Sequence, residues 1–238
     1  MLNEVQRKQY LEEGYLILTD FFEPTEIDAL TAEIDRLDQR TNERLRQTGQ
    51  ISIAIPDQIV FSINIHRRHQ IIADFIKHPK LVELATAILG PDVRLYWDQS
   101  VYKRPEMMRD FPWHQDTGYI RTDPPNYLTC WLALGEANRQ NGCIWVRPRS
   151  HLEGMLEHQK TAVGYQCYFG DEPGVPVELR KGSMAIFSAQ MVHRSGPNLS
   201  DHIRKAYIIQ YSVVGAKNMA TGEEFENGPI VALNGKAV

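Results

Sequence analysis

The sequence predicts a mainly β fold, a two-sheet jelly roll flanked by helices. Three observations predict it. The chain has 238 residues, 42% hydrophobic and 24% charged, which is enough for one well-buried core and short for two. Its texture changes at Gly90: helical periodicity comes before, and short runs rich in β-branched and aromatic residues come after. These runs recur between turn signals, as the strands of a sandwich or barrel do. They are Val93–Trp97, Tyr127–Leu134, Cys143–Val146, Met184–Phe187 and Ala206–Val214. A jelly roll fits their number and offers an open mouth for a site.

Each element has a local cause. Asn3 is placed to cap a first helix that Gly14 ends. Tyr15 to Leu18 reads as a short strand. Pro24 suits the start of a second helix, whose Ile27, Leu30, Ile34 and Leu37 share one face. From Thr41 to Gln58 that pattern is lost, which predicts a long loop or lid with Ile51, Ile53 and Ile55 available to line a pocket. Pro79 to Leu89 reads as an amphipathic helix closed by Gly90. Gly215 to Val238 is polar and predicts an irregular tail. With no internal repeat or low-complexity tract, residues 1–238 are expected to form a single domain. Its helical part is about 1–90, its jelly-roll core about 91–215, and its tail 216–238.

Composition excludes several functions. A net charge of −4, with no basic block interleaved with aromatics, gives no nucleic acid or anionic membrane a surface to bind. No stretch reaches the apolar length of a membrane span. The charged first fourteen residues do not read as a signal peptide, so a cytoplasmic location is expected. Cys130, Cys143 and Cys167 are odd in number and widely spaced, which suits reduced, buried thiols rather than a disulfide framework. A small molecule is the expected partner, and the sequence carries no signal of oligomeric state.

The chemistry concentrates in a few polar residues. His114 and Asp116 lie two apart, so on a strand end they project together while Gln115 points away. His193 is placed to join them from a neighbouring strand. Taken singly, His114 reads as a hydrogen-bonded core histidine and Asp116 as a turn residue before Gly118. Taken together, two imidazoles and one carboxylate can hold one face of Fe(II) and leave other positions open. The same set plus water also describes a catalytic zinc site. Arg204 opens the strand run after His193, which predicts the two on paired strands. Its planar fork suits a carboxylate, and Ser195 could donate beside it.

The chain resembles the phytanoyl-CoA dioxygenase family of Fe(II)/2-oxoglutarate oxygenases. The resemblance rests on Glu13–Leu18, Phe21-Phe22, Trp113–Asp116, Asn141–His151, Lys181–Ser183, His193–Asn198 and Arg204. It implies a double-stranded β-helix (jelly-roll, cupin-like) core. It also implies Fe(II) held by His114, Asp116 and His193, with 2-oxoglutarate and O₂ as co-substrates. Arg204 and Ser195 would hold the distal carboxylate. Trp131 falls where the family places an aromatic beside the co-substrate. Gln99 and Tyr102 fall on the strand run that contributes to the pocket. His151 matches a signature read as structural, and Arg149 stands where the family has glycine, which bears on the turn there.

The implied reaction is hydroxylation of an unactivated C–H bond of a small metabolite or natural-product intermediate, with succinate and CO₂ as co-products. Desaturation, epimerisation and ring formation are alternative outcomes of the same oxidation. Halogenation is disfavoured, because halogenases replace the carboxylate that Asp116 supplies. A zinc hydrolase or a non-catalytic jelly-roll binding protein is the more distant reading. Phe111, Trp113, Met107, Met108 and Ile53 are candidates for an apolar substrate wall or for plain core. Arg104, Arg109, Arg121 and Lys160 are scattered and read more simply as solvated charge than as an anion site.

Overall fold

A computed structural model describes residues 2–49, 51–105, 107–125 and 127–238. The first helix, Glu4–Glu13, is closed at its start by a reciprocal cap: the Asn3 side chain accepts from the Gln6 amide at 2.8 Å, and the Gln6 side chain accepts from the Asn3 amide at 3.0 Å. Gly14 ends it with φ +80°. A Cβ there would also strike the His151 ring and Met191, so glycine is required twice over.

Pro24 heads a 3-10 turn, Pro24–Ile27, that runs directly into the helix Asp28–Thr48. Ile27, Leu30, Ile34 and Leu37 are buried, as their spacing predicts. The helix does not stop at Thr41, however. Its buried face continues with polar residues, so the apolar period fades while the helix persists. Asp38 pairs with Arg104 at 2.5 Å, Thr41 accepts from the Ser62 hydroxyl at 2.8 Å, and Asn42 donates to Asp57 at 2.8 Å. Each of these buried side chains thereby has at least one polar partner. After Gly49 the predicted loop does begin, with Ile51 and Ile53 lining a cavity and Ile55 in the core. The helix Pro79–Leu89 and its Gly90 cap form as predicted. A short helix, Gln70–Phe75, and a strand, Ile59–Ile63, form where the sequence reading places neither.

Two antiparallel sheets form most of the rest. In the larger, Tyr15–Leu18, Met184–Ser188, Leu128–Ala133, Arg204–Val213 and Val93–Lys103 lie side by side. Ile59–Ile63 also pairs with Val93–Lys103. The smaller sheet orders Val175–Val177, Ile144–Val146, His193–Ser195 and Phe111–His114. The period of two along each strand sorts the side chains. Leu128, Cys130 and Leu132, with Tyr207, Ile209 and Tyr211, face the helices and form the larger core. Trp131, Ala133, Ala206 and Ile208 face the smaller sheet and pack with Phe111, Ile144 and Val146. The molecule is thus a mostly β, cupin-like half-barrel, with helices on one face of its large sheet and a site on the other. Cys130 and Cys143 are buried free thiols, and Cys167 is free and half-buried. Among the described residues, no helix is long and apolar enough to cross a membrane.

The tail is more ordered than its polarity predicts. Ile230–Leu233 joins the large sheet beside Val93–Lys103, and Lys236–Ala237 folds back on it. The turn between them is Asn234-Gly235, both at positive φ (50° and 74°). Asn-Gly between two strands is a strong hairpin signal, and here it outweighs composition. Lys217–Asn218 pairs with Thr122–Asp123.

Arg149 sits at φ +68°, ψ −3°, just before the 3-10 turn Ser150–Glu153. That left-handed backbone explains why glycine suits the position. Holding arginine there costs about 1–2 kcal/mol. Glycine would return part of it to unfolded-chain entropy, about 0.5–1 kcal/mol. Arg149→Gly should therefore stabilise the fold by about 0.5 kcal/mol or more. Urea denaturation checks this, and a lower midpoint would show that the Arg149–Glu13 pair at 3.9 Å outweighs the backbone.

Candidate active site

The strands Phe111–His114 and His193–Ser195 pair so that His114 stands opposite His193, with ring centroids 4.2 Å apart. Each ring is oriented by a carbonyl two residues earlier. His114 Nδ1 donates to Pro112 O at 2.8 Å, and His193 Nδ1 donates to Met191 O at 3.0 Å. A carbonyl only accepts, so the proton sits on Nδ1 and the lone pair on Nε2. Burial, then the neighbouring His193, hold the His114 imidazole well below its usual range, so it stays neutral.

Asp116 completes the group. It begins a 3-10 turn, Asp116–Gly118, two residues beyond the strand's last residue, His114. Its Oδ2 accepts from Thr129 Oγ1 at 2.7 Å and from Gln210 Nε2 at 2.9 Å. Its Oδ1 faces His114 Nε2 at 4.0 Å and His193 Nε2 at 3.7 Å, too far for hydrogen bonds. The neutral His114 ring makes no ion pair there either. The three ligand atoms lie within 4.8 Å of one another, in reach of a single ion. Gln115 points away, as the alternation requires, and donates to Gly154 O and Gln190 O. Two lone-pair nitrogens and one half-tethered carboxylate are a fitting donor set for a divalent metal.

Arg204 enters from the facing sheet. The structure corrects the expected pairing of its strand with that of His193: Arg204 pairs opposite Lys103 in the large sheet, while His193 lies in the small one. The two meet across the interior, both lining an inner cavity of about 80 Å³ with His114, Asp116, Trp131 and Ser195. Arg204 is 2% exposed. Among the described residues no carboxylate pairs with it, and its Nε has no partner. Nη1 donates to Val101 O at 3.1 Å, and the guanidinium lies 5.2 Å from the Trp131 ring centroid. Burial pulls its pKa down to about 10, which still leaves it charged near neutrality. An unpaired buried cation is costly and asks for an anion.

The sequence profile of the phytanoyl-CoA dioxygenase family (PhyH) matches residues 10–206. The chain belongs to that family. Peroxisomal phytanoyl-CoA dioxygenase of Rattus norvegicus is 25% identical over 248 residues, covering 95% of this chain and 73% of its own length. Among solved structures, the non-heme alpha-ketoglutarate-dependent carbocyclase SnoK of nogalamycin biosynthesis superposes with a TM-score of 0.78 at 21% identity, covering 97% of each chain. The epimerase SnoN, in complex with Fe³⁺, alpha-ketoglutarate and nogalamycin RO, gives 0.74 at 19%, covering 95% of this chain and 97% of its own. At these identities the two structures speak to the fold alone.

In this phytanoyl-CoA dioxygenase family member, the other predicted residues divide. Gln99 and Trp131 line the inner cavity. Tyr102 does not: the alternation that turns Gln99 and Val101 inward turns Tyr102 to the helices, where its hydroxyl donates to Asp35 at 2.6 Å. Ser195 faces the cavity, and its hydroxyl accepts from Lys103 Nζ at 2.9 Å. Lys103 was not legible as a site residue. It is fully buried, donates also to Ser195 O and Gly196 O, and burial holds its amine well below the usual range. Thr129 and Gln210 were missed as well, although Gln210 falls in step with Arg204 and Ile208 at a spacing of two. His151 is structural, its Nε2 3.1 Å from Leu11 O.

A second cavity, of about 550 Å³, opens over His114 and Asp116. Phe111 and Ile53 line it, as expected of an apolar wall. Met107 is core, Met108 is exposed, and Trp113 packs against Tyr168 and Arg194 instead. Of the scattered cations, Arg104 is tied to Asp38.

Proposed function

We propose that this enzyme is an Fe(II)- and 2-oxoglutarate-dependent dioxygenase that hydroxylates an unactivated C–H bond of a small metabolite or natural-product intermediate, using residues 1–238 as one domain. His114, Asp116 and His193 would be the iron ligands. Arg204 and Ser195 would bind the distal carboxylate of 2-oxoglutarate, with Trp131 and Gln99 beside it. Bound there, iron with 2-oxoglutarate and O₂ would supply the oxidation of the C–H bond, releasing succinate and CO₂.

The protein's own contribution is position and exclusion of water. Pro112 O and Met191 O hold the imidazoles in the tautomer that presents Nε2. Thr129 and Gln210 fix one carboxylate oxygen of Asp116 and leave the other to bind. Val101, Phe187 and Ile208 keep the inner cavity apolar between the ligands and Arg204. In such surroundings a charge-assisted pair between guanidinium and carboxylate is strong and directional.

The observation that carries this reading is Arg204, a buried guanidinium with no carboxylate partner among the described residues, in one cavity with the His114 and His193 imidazoles and Asp116. A zinc hydrolase would have no use for it. The test is the visible spectrum of anaerobic protein with Fe(II) and 2-oxoglutarate. A charge-transfer band is expected in the parent. In Arg204→Ala the 2-oxoglutarate concentration needed for it should rise about a hundredfold, as when one partner of a buried charge pair is removed. No band in the iron-loaded parent would overturn the reading and favour the hydrolase or binding-protein alternatives.

A further inference from the structure

We propose that the larger cavity binds a ring-bodied organic anion, and that Arg44 and Arg68 receive its charged group at the end away from the bond to be oxidised. The proposal rests on the oxygenase reading only for where oxidation occurs.

The cavity is lined by two kinds of polar group, His114 and Asp116 from the candidate metal site and Arg44 and Arg68, whose side chains are exposed. Much of the remaining wall is aromatic. Tyr96 and Tyr127 lie 4.5 Å apart between centroids with their planes tilted by 36°, Tyr119 and Tyr165 meet edge to face at 5.1 Å, and Phe61 and Phe111 lie 6.0 Å apart. Such rings pack against one another and present broad, stiff apolar faces, which suit a planar or fused-ring body better than a flexible chain. A volume of about 550 Å³ admits a molecule of several rings.

The arginines set the sign of the charge the cavity would accept. They come from separate elements, Arg44 from the last turns of the helix Asp28–Thr48 and Arg68 from just after the 3-10 turn Ile65–Arg67. Neither has a side-chain hydrogen bond or ion pair among the described residues. Elsewhere the surface arginines are commonly matched: Arg46 with Asp57 at 2.7 Å, Arg180 with Asp20 at 2.7 Å, and Arg194 with Asp110 at 2.6 Å. Among the described residues the one carboxylate lining this cavity is Asp116, and it is already held by Thr129 and Gln210. Two unmatched guanidinium groups facing one cavity select an anion, whether carboxylate, sulfonate or phosphate.

The test compares 2-naphthoate with its neutral isostere 2-naphthamide by titration calorimetry, in the parent and in Arg44→Gln/Arg68→Gln. Both substituted side chains are exposed, so the core is untouched. The parent should bind the acid about tenfold more tightly than the amide, as for charge-assisted contacts at a partly open site. The preference should fall as salt rises. In the double variant it should shrink to within about twofold. Equal affinities in the parent, or a preference that the double variant keeps, would overturn the anion site. Binding of neither probe would overturn the ring-binding wall. A parent that prefers the acid yet forms no charge-transfer band with Fe(II) and 2-oxoglutarate would sink the oxygenase reading and leave this site standing.

Discussion

His114→Ala should lower substrate-dependent succinate formation by more than about a hundredfold and abolish the charge-transfer band. Loss of a group that merely orients a metal ligand already costs about 10–100-fold. Loss of a ligand itself must cost more. The fold should barely notice. The ring gives up its hydrogen bond to Pro112 O, while its removal relieves the crowding of two imidazoles 4.2 Å apart. A penalty of about 1 kcal/mol would move the melting temperature of metal-free protein by roughly 2–4 °C. Parallel melting and succinate assays separate the two effects. Full activity in a well-folded variant would remove His114 from the ligand set.

The site was legible because its parts follow short-range rules. His114 and Asp116 are two residues apart, so one geometric argument places both. The Arg204 strand is long and regular, and its alternation turns Arg204, Ile208 and Gln210 to one side. What the sequence concealed lies where long-range packing decides. Tyr102 and Val101 are neighbours in an apolar run, and only the position of the helices says which of them looks at the cavity. The pairing of Arg204 with Lys103 rather than with the His193 strand depends on which strand joins which sheet, and nothing local encodes that. The helix past Thr41 was hidden by its polar buried face, whose partners Asp57, Ser62 and Arg104 are remote in sequence. Arg44 was hidden with it, because a residue read as loop has no face. The tail is a different case. Asn234-Gly235 was in plain view, and overall polarity was allowed to outweigh a specific turn signal.

Asp98→Ala should be the most destabilising substitution remote from the site. Asp98 is fully buried on the helix-facing side of the strand that presents Trp97 and Gln99 to the cavities. Its carboxylate accepts from the His66 amide at 3.0 Å and from the Tyr207 hydroxyl at 3.0 Å, and it meets His66 Nδ1 in a short contact. Alanine would strand three buried donors at once. Breaking such a network costs about 3–5 kcal/mol, which lowers the melting temperature on the order of 10 °C. Asp98→Asn keeps an acceptor oxygen and should lose less. An Asp98→Ala protein that melts within about 2 °C of the parent would show that the network contributes nothing. The expected loss has a functional counterpart. The cavity side of this sheet carries Arg204 with no carboxylate partner among the described residues, which is unfavourable until an anionic ligand arrives. The opposite side of the same strands holds Tyr207, Asp98 and His66 in a hydrogen-bonded cluster. A sheet can keep an unmatched cation ready on one face when its other face is fixed by contacts of this strength.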